Sequence, residues 1–450
     1  MVAQASACER PLAMGSRMTP RIGTGADRWF GIKSQIHSKL VNSLTPDQLK
    51  TLNKEGVREQ IGNVVERLIS DEQVPMTVAE RERLIEEILD EVFGLGPLEP
   101  LLKDPTVSDI MVNGFDNIYV ERFGKVVETN VRFKDQAHVR MIIDRIVSNI
   151  GRRIDDSSPI VDARLADGSR MCAVIPPLSL IGPVLSIRRF GKKLLTPEDL
   201  MKNESFTPGM LDFLSGCVEA RLNIVVSGGS GSGKTTMLNT LSRFIPEAER
   251  VVTIEDTAEL QMQQEHVVRL ETRPMNIEGA GAITQRDLVI NALRMRPDRI
   301  IVGECRGAEA FDMMQAMNTG HDGSMTTTHA NSARDAFARL ETMVMMATKN
   351  VPDHVIRQML SSAIQIVVHC ARLSDGSRKF TSISEVAGVE DEQVDMQDIF
   401  VLERTGIGPR GSITGRFKAT GNRPKVLERL KSYGIHLPNS LFTEVQEIKA

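Results

Sequence analysis

Eight consecutive residues, Gly228-Gly229-Ser230-Gly231-Ser232-Gly233-Lys234-Thr235, fit a phosphate-binding loop, a glycine-rich turn closed by Lys and Thr. Glycines let the backbone curl until successive N–H groups, and the positive end of the helix that follows, point at one anion. Lys234 can then offset charge on the β- and γ-phosphates, and the Thr235 hydroxyl can ligate Mg²⁺, with Thr236 beside it in the same site. The apolar residues 224–226 before the loop and the helix-like residues 235–244 after it supply the strand-loop-helix setting this chemistry needs. A plain Gly/Ser turn is the alternative reading, and the setting weighs against it.

Downstream, the strand-like residues 250–255 run into three carboxylates, Glu255, Asp256 and Glu259. Acids at the carboxyl end of a sheet strand adjoin a phosphate crevice, where they can hold Mg²⁺ through water or orient an attacking water. Taken alone, a solvated acidic turn explains them equally well. Residues 300–304, Ile-Ile-Val-Gly-Glu, deliver Glu304 from an apolar strand as a Walker B element does, with Gly-Glu in place of the usual Asp; Arg306 and Glu309 open the next helix. His321 and His329 flank a Thr-rich strand. His329, at its carboxyl end, is placed to meet a γ-phosphate, whereas His321 is balanced between that role and a structural one.

Such residues converge only if the second half of the chain builds a parallel sheet. Strand-like 223–227, 250–255 and 299–303 alternate with helix-like 235–244 and 284–295, the alternation that specifies one. An amphipathic helix over 208–222 leads in, and strand patterns between 364 and about 420, broken at Asp375-Gly376 and at 406–411, lead out to a final helix at 424–433. Upstream, 1–30 reads as a flexible tail and 31–103 as a helical bundle, with Ile36, Leu40 and Leu44 four residues apart. Residues 104–195 alternate β-formers with polar residues around one helix, 136–150, which makes an α+β domain with strands expected at 109–112, 118–122, 126–133, 160–165, 170–175 and 183–190. A polar connector, 196–207, separates this domain from the P-loop domain, 208–450.

A chain of 450 residues carries two or three such units, and its 41% hydrophobic and 25% charged residues are ordinary for globular proteins. Lys and Arg number 55 against 59 Asp and Glu, a net charge of −4 that argues against a nucleic-acid partner. The five cysteines are scattered without metal-ligand spacing, which fits reduced thiols in a cytoplasm, and no structural metal is expected. Apolar runs fall far short of the 18 or so residues a membrane span requires, so a membrane would be reached through a partner.

The ordered set 228–235, 254–260, 293–304 and 320–331 resembles the Walker A, Asp box, atypical Walker B and His box of the secretion ATPases of type II, type IV pilus and type IV secretion machines. Within that superfamily, Val161-Asp162-Ala163-Arg164-Leu165-Ala166-Asp167-Gly168-Ser169-Arg170, then Pro176-Pro177 and Ser186-Ile187-Arg188-Arg189-Phe190, is similar to the Tad/Flp pilus branch, the CpaF-like motors. The resemblance implies an N-terminal α+β (PAS-like) domain joined to a RecA-like ATPase domain. It further implies a homo-hexameric ring in the cytoplasm, peripheral to the inner membrane through a platform protein, hydrolysing ATP with Mg²⁺ to assemble a pilus or related secretion machine, and to retract it in some members. By position, Lys234 and Thr235 match the phosphate and Mg²⁺ residues, Glu259 the water-activating carboxylate and Glu304 the Walker B acid. Arg170 and Arg188 match arginines that close over nucleotide from the N-terminal domain, and Arg294 and Arg296 match arginines at a subunit boundary. A RecA-like nucleic-acid motor and a non-hydrolysing nucleotide sensor are the competing readings; the charge balance disfavours the first, and the joint presence of Glu255, Glu259 and Glu304 the second.

Overall fold

The structure, a computed structural model, describes residues 76–448 apart from 166, 190–194, 276–279 and 349–350, together with residues 62, 63, 66, 67 and 69. The tail expected over 1–30, and the part of the expected bundle that holds Ile36, Leu40 and Leu44, lie outside the described residues. Helix α1 (Val78–Phe93) begins at a capping box in which Thr77 and Glu80 satisfy each other's backbone N–H groups, donors the helix itself leaves unpaired. It buries Leu84 and Ile88 and turns at Gly94 toward the short helix α2 (Glu99–Lys103).

Six antiparallel strands form the first sheet: β1 (Val107–Asn113), β2 (Ile118–Arg122), β3 (Lys125–Glu128), β4 (Ile160–Arg164), β5 (Arg170–Val174) and β6 (Val184–Arg188), in the order β3-β2-β1-β6-β5-β4. Helix α3 (Gln136–Asn149) buries Val139, Ile142, Ile143, Ile146 and Val147 in the core it shares with Ile110, Val120, Leu185 and Ile187 of the sheet. Each such aliphatic side chain contributes roughly 1.5–3 kcal/mol on burial. The strand expected over 126–133 stops at Glu128 because β3 is an exposed edge, and the chain then turns so that Phe133 enters the core, its N–H donating to the Phe115 carbonyl. Strand register sets Arg164 opposite Arg170, Arg170 opposite Arg188, and Arg188 opposite Asp109. Three arginines thus cross three adjacent strands in one row, an arrangement that costs the sheet stability by itself.

Residues 196–207, expected as a polar connector, instead hold helix α4 (Pro197–Lys202), started by a Thr196/Asp199 capping box with Pro in its first turn. Its Leu200, and Phe206 beyond it, are buried in the core of the second sheet. That part of the chain runs α5 (Pro208–Glu219), β7 (Ile224–Gly228), α6 (Lys234–Ser242), β8 (Val251–Glu255), β9 (Val267–Glu271), α7 (Gln285–Ala292) and β10 (Arg299–Val302). It continues with α8 (Glu309–Asn318), β11 (Met325–Thr328), α9 (Ala333–Ala347), α10 (Asp353–Ala363), β12 (Ile366–Arg372), β13 (Arg378–Glu390), β14 (Gln393–Ile407), β15 (Ile413–Ala419), α11 (Leu427–Ser432) and β16 (Val445–Ile448).

Ten strands take the order β16-β15-β14-β13-β12-β7-β11-β10-β8-β9; β12 through β9 are parallel, and β13 to β16 extend the β12 side antiparallel. Every residue of β7 is buried. Ile224 and Val226 face a core shared with α5, α6 and α11, while Val225 faces the core under α7 to α10. Burial on both faces explains why these strands read as continuous apolar runs and not as alternating ones. The fold is α/β, a RecA-like P-loop sheet preceded by an α+β part. Among the described residues no helix is long and apolar enough to cross a membrane.

A candidate phosphate-binding cleft lined by arginines

A cleft of about 530 Å³ opens at the carboxyl ends of β7, β8, β10 and β11, the end of a parallel sheet where ligands bind. Its floor is the loop from Ser230 to Thr236. Gly228 has φ +155°, and a Cβ there would lie 2.3 Å from the Cys370 carbonyl oxygen of neighbouring β12, so the chain can leave the strand at this point only as glycine. Gly233, at φ +101°, aims the start of α6 into the cleft without any side-chain cap. The first N–H groups of α6 therefore face the cleft, and the buried Ser232 hydroxyl has no partner among the described residues. Unpaired donors gathered at a helix start suit an anion, so the loop fits a nucleotide phosphate.

Lys234 is 8% exposed. Its Nζ donates to the carbonyls of Gly228 (3.1 Å) and Gly229 (3.0 Å) and lies 3.3 Å from Nε2 of His329. Burial depresses its pKa, with Glu304 opposing that shift. For Nε2 to accept from the ammonium, His329 must carry its proton on Nδ1, which is the atom that meets Glu304. Glu304 also accepts from Arg306 at 2.7 Å, and Arg306 reaches Asp256 at 3.8 Å. Burial alone would raise the Glu304 pKa, but Arg306 and His329 outweigh it and hold the carboxyl below its ordinary value. An ionised Glu304 and the Thr235 hydroxyl, which makes no hydrogen bond among the described residues, line one cleft and together fit a hard divalent cation.

Glu255 and Glu259 occupy different settings. One oxygen of Glu255 accepts the N–H groups of Glu259 and Leu260, both at 2.8 Å, and its other oxygen is buried without a partner among the described residues. Burial pushes this carboxyl up to about 7, although the Leu260 and Glu259 N–H groups pull it down. A carboxyl whose folded pKa lies above its ordinary 4.5 contributes stability that is complete below 4.5 and is lost as pH rises through 7. Glu255→Gln, which keeps an acceptor for both N–H groups, should flatten the fall of melting temperature with pH over that window. A variant with the wild-type slope would show that Glu255 ionises normally.

Arg170 and Arg188, from β5 and β6, line the cleft from the other sheet, and Arg170 lies 3.5 Å from a Glu259 oxygen. Two of the three arginines that burden the first sheet therefore face the cleft. Two further cations went unmarked in the sequence analysis as parts of the site. Arg378, at the start of β13, lines the cleft with its Nε donating to the Gly231 carbonyl at 2.8 Å, and Arg189 lines it beside Arg188. Arg378 stands 150 or so positions from the loop it touches, so no local motif could reveal it. Gly228 does not line the cleft but supplies a carbonyl to Lys234. Three expected positions lie elsewhere. His321 precedes β11, at the opposite end of that strand from His329, and Arg294 and Arg296, both exposed just past α7, do not line the cleft.

Comparison with known proteins bears on the whole arrangement. Two family models match, "Type II/IV secretion system protein" over residues 91–415 and "Type II secretion system protein E, N-terminal domain" over residues 29–93. A putative conjugal transfer protein of Mycobacterium tuberculosis is 37% identical over 306 residues, 67% of this chain and 86% of that protein. The type IV secretion system protein VirB11 of Brucella suis is 31% identical over 322 residues, 65% of this chain and 89% of that protein. A crystal structure of the Brucella suis VirB11 ATPase in complex with sulphate aligns at 30% identity and a TM-score of 0.36, over 65% of this chain and 97% of that one. Because the larger matched span runs from the end of α1 to the start of β15, taking in the first sheet, the second sheet through β14 and the cleft between them, the chain belongs to the type II/IV secretion system protein family.

Proposed function

We propose that this secretion-family ATPase works as a Mg²⁺-dependent ring motor that assembles, or assembles and retracts, a Tad/Flp-type pilus or a related secretion machine. The observation that carries the reading is the overlap of two sheets at one cleft: a P-loop below and Arg170 and Arg188 of the other sheet above. Backbone N–H groups of the loop and Lys234 hold the phosphates of ATP, with Gly231, Gly233, Ser230 and Ser232 shaping the cradle and Thr236 flanking it. Thr235 and Glu304 would hold Mg²⁺, which would supply positive charge to the phosphate oxygens. Glu259 orients the attacking water and takes its proton, while Glu255 holds the backbone turn that presents Glu259. His329 fixes Lys234 against Glu304. Arg170 and Arg188 meet charge developing on the transferred phosphoryl group, and they do so only when the first sheet is folded over the second. Exposed Arg294 and Arg296 are left to a neighbouring subunit, which supports a ring of identical chains, six by resemblance, acting in the cytoplasm on an inner-membrane partner.

The purified full chain, sized and assayed with and without Mg²⁺ and ATP, tests this reading. A six-fold mass and Mg²⁺-dependent turnover are expected; a monomer without turnover would sink it. In the same assay, Arg170→Ala and Arg188→Ala should each lower turnover by about a hundredfold, the usual cost of removing one preorganised donor to a transition state. Full activity with a lower melting temperature would reduce both arginines to ion pairs within the first domain.

A further inference from the structure

The third arginine of the row does not line the cleft, yet it reaches across to the second sheet. Arg164 ends β4 directly opposite Arg170. Its guanidinium uses all three nitrogens: Nε donates to the Gly168 carbonyl of its own hairpin turn at 3.3 Å, one terminal nitrogen pairs with Glu271 at 3.1 Å, and the other donates to the Ala258 carbonyl at 3.1 Å. Glu271, on edge strand β9, in turn accepts the Ala258 N–H at 3.1 Å. The Ala258 carbonyl belongs to the peptide that joins Ala258 to Glu259, and the N–H of that same peptide donates to Glu255. A single peptide plane is therefore pinned at both ends, by Arg164 from the first sheet and by Glu255 from the second.

We propose that Arg164 is a positioning residue for the water-activating carboxylate: by gripping the Ala258–Glu259 peptide across the two sheets, it aims Glu259 only while the first sheet lies over the cleft. This rests on the assignment of Glu259 made above. Rotating that peptide swings the Glu259 Cα–Cβ bond, and a displacement of about 1 Å at a reacting group can cost on the order of a hundredfold in rate. Arg170, beside Arg164 in the row, meets the Glu259 carboxylate itself, so one hairpin sets both the backbone and the side chain of this residue. Closure of the first sheet then does more than bring positive charge to the phosphates. It completes the placement of the group that handles water, which couples domain position to hydrolysis and leaves ATP binding alone.

A simple surface ion pair is the competing account, since Arg164 and Glu271 are each about two-fifths exposed and such a pair contributes little. Steady-state kinetics of the full chain separate the two. Arg164→Ala should lower kcat by about a hundredfold, with KM for ATP within about twofold of wild type and the melting temperature nearly unchanged. Arg164→Lys keeps the charge opposite Glu271 but cannot offer three planar donors, so it should still lose about tenfold in kcat. In a Glu259→Gln background, single-turnover rates should be the same with Arg164 or Ala at this position, because there is no longer a base to aim. Wild-type kcat in either Arg164 variant, or an equal fold-loss with and without Glu259, would overturn the proposal. Failure of the parent reading looks different: Glu259→Gln would then turn over normally while Arg164 stands unaltered.

Discussion

Lys234→Ala is expected to abolish ATP turnover and to weaken nucleotide binding by about tenfold to a hundredfold. The magnitude follows from the bonds lost. A hydrogen bond to a charged group contributes about 1.5–3 kcal/mol, and 1.4 kcal/mol is a tenfold change in an equilibrium constant. In the structure the ammonium is 8% exposed and held by the Gly228 and Gly229 carbonyls, so phosphate oxygens have only to replace two neutral acceptors with charged ones. Little side-chain ordering remains to be done on binding, which makes the stabilisation of phosphate charge large. Alanine is a good residue for the first turn of α6, so the fold should survive, and a melting curve close to wild type is part of the expected result. Titration with a fluorescent ATP analogue and a steady-state ATPase assay check it. Unchanged turnover would remove the P-loop from the mechanism.

Much of this site was legible in the sequence because its main residues end strands of one parallel sheet. Short apolar runs terminate in Gly228, Glu255 and Glu304, and the strand-helix alternation places their carboxyl ends together. His329 follows the same rule through β11, whereas His321, four residues before that strand, is carried to its other end. What sequence could not give was contact across domains. Arg378 meets the P-loop because β12 pairs with β7 and the next hairpin returns to the loop, a consequence of sheet order alone. Arg164 stood in plain view inside a quoted motif, but its role depends on where the Ala258 peptide lies, which only the packing of the two sheets fixes. Elements outside the motifs were harder still. Strand β9 is short, five residues at the sheet edge in which half-buried Val268 and Leu270 alternate with exposed Arg269 and Glu271, and α9 and α10 become recognisable once Phe337, Leu340, Ile356 and Leu360 are seen to cover one face of the sheet. The helix at Pro197–Lys202 hid in polar text, though its Thr196-Pro197-Glu198-Asp199 opening is a start signal readable from residue types.

Glu259→Gln should retain ATP binding and lose turnover by about a hundredfold or more, since the amide keeps size and hydrogen bonding but cannot accept a proton from water. Two carboxylates compete for this role, and the structure separates them on different grounds. Burial raises the Glu255 carboxyl to about 7, which would suit a base near neutrality. Its position argues the other way. One oxygen is committed to the N–H groups of Glu259 and Leu260, and losing those bonds would release the turn that carries Glu259. Glu259 has its backbone fixed and its carboxylate in the cleft, with Arg170 at 3.5 Å as the charge that orients it. A base needs to be placed first and tuned second, because proton transfer occurs only within hydrogen-bond reach. The two assignments predict different pH profiles. With Glu259 as the base, kcat of Glu255→Gln should persist within about tenfold and show the same acidic limb as wild type. With Glu255 as the base, wild-type kcat should rise through pH 7 and Glu255→Gln should be the inactive variant. Measuring kcat from pH 5 to 9 for the wild type and both Gln variants decides between them, and a dead Glu255→Gln beside an active Glu259→Gln would transfer the role to the residue that here holds the turn.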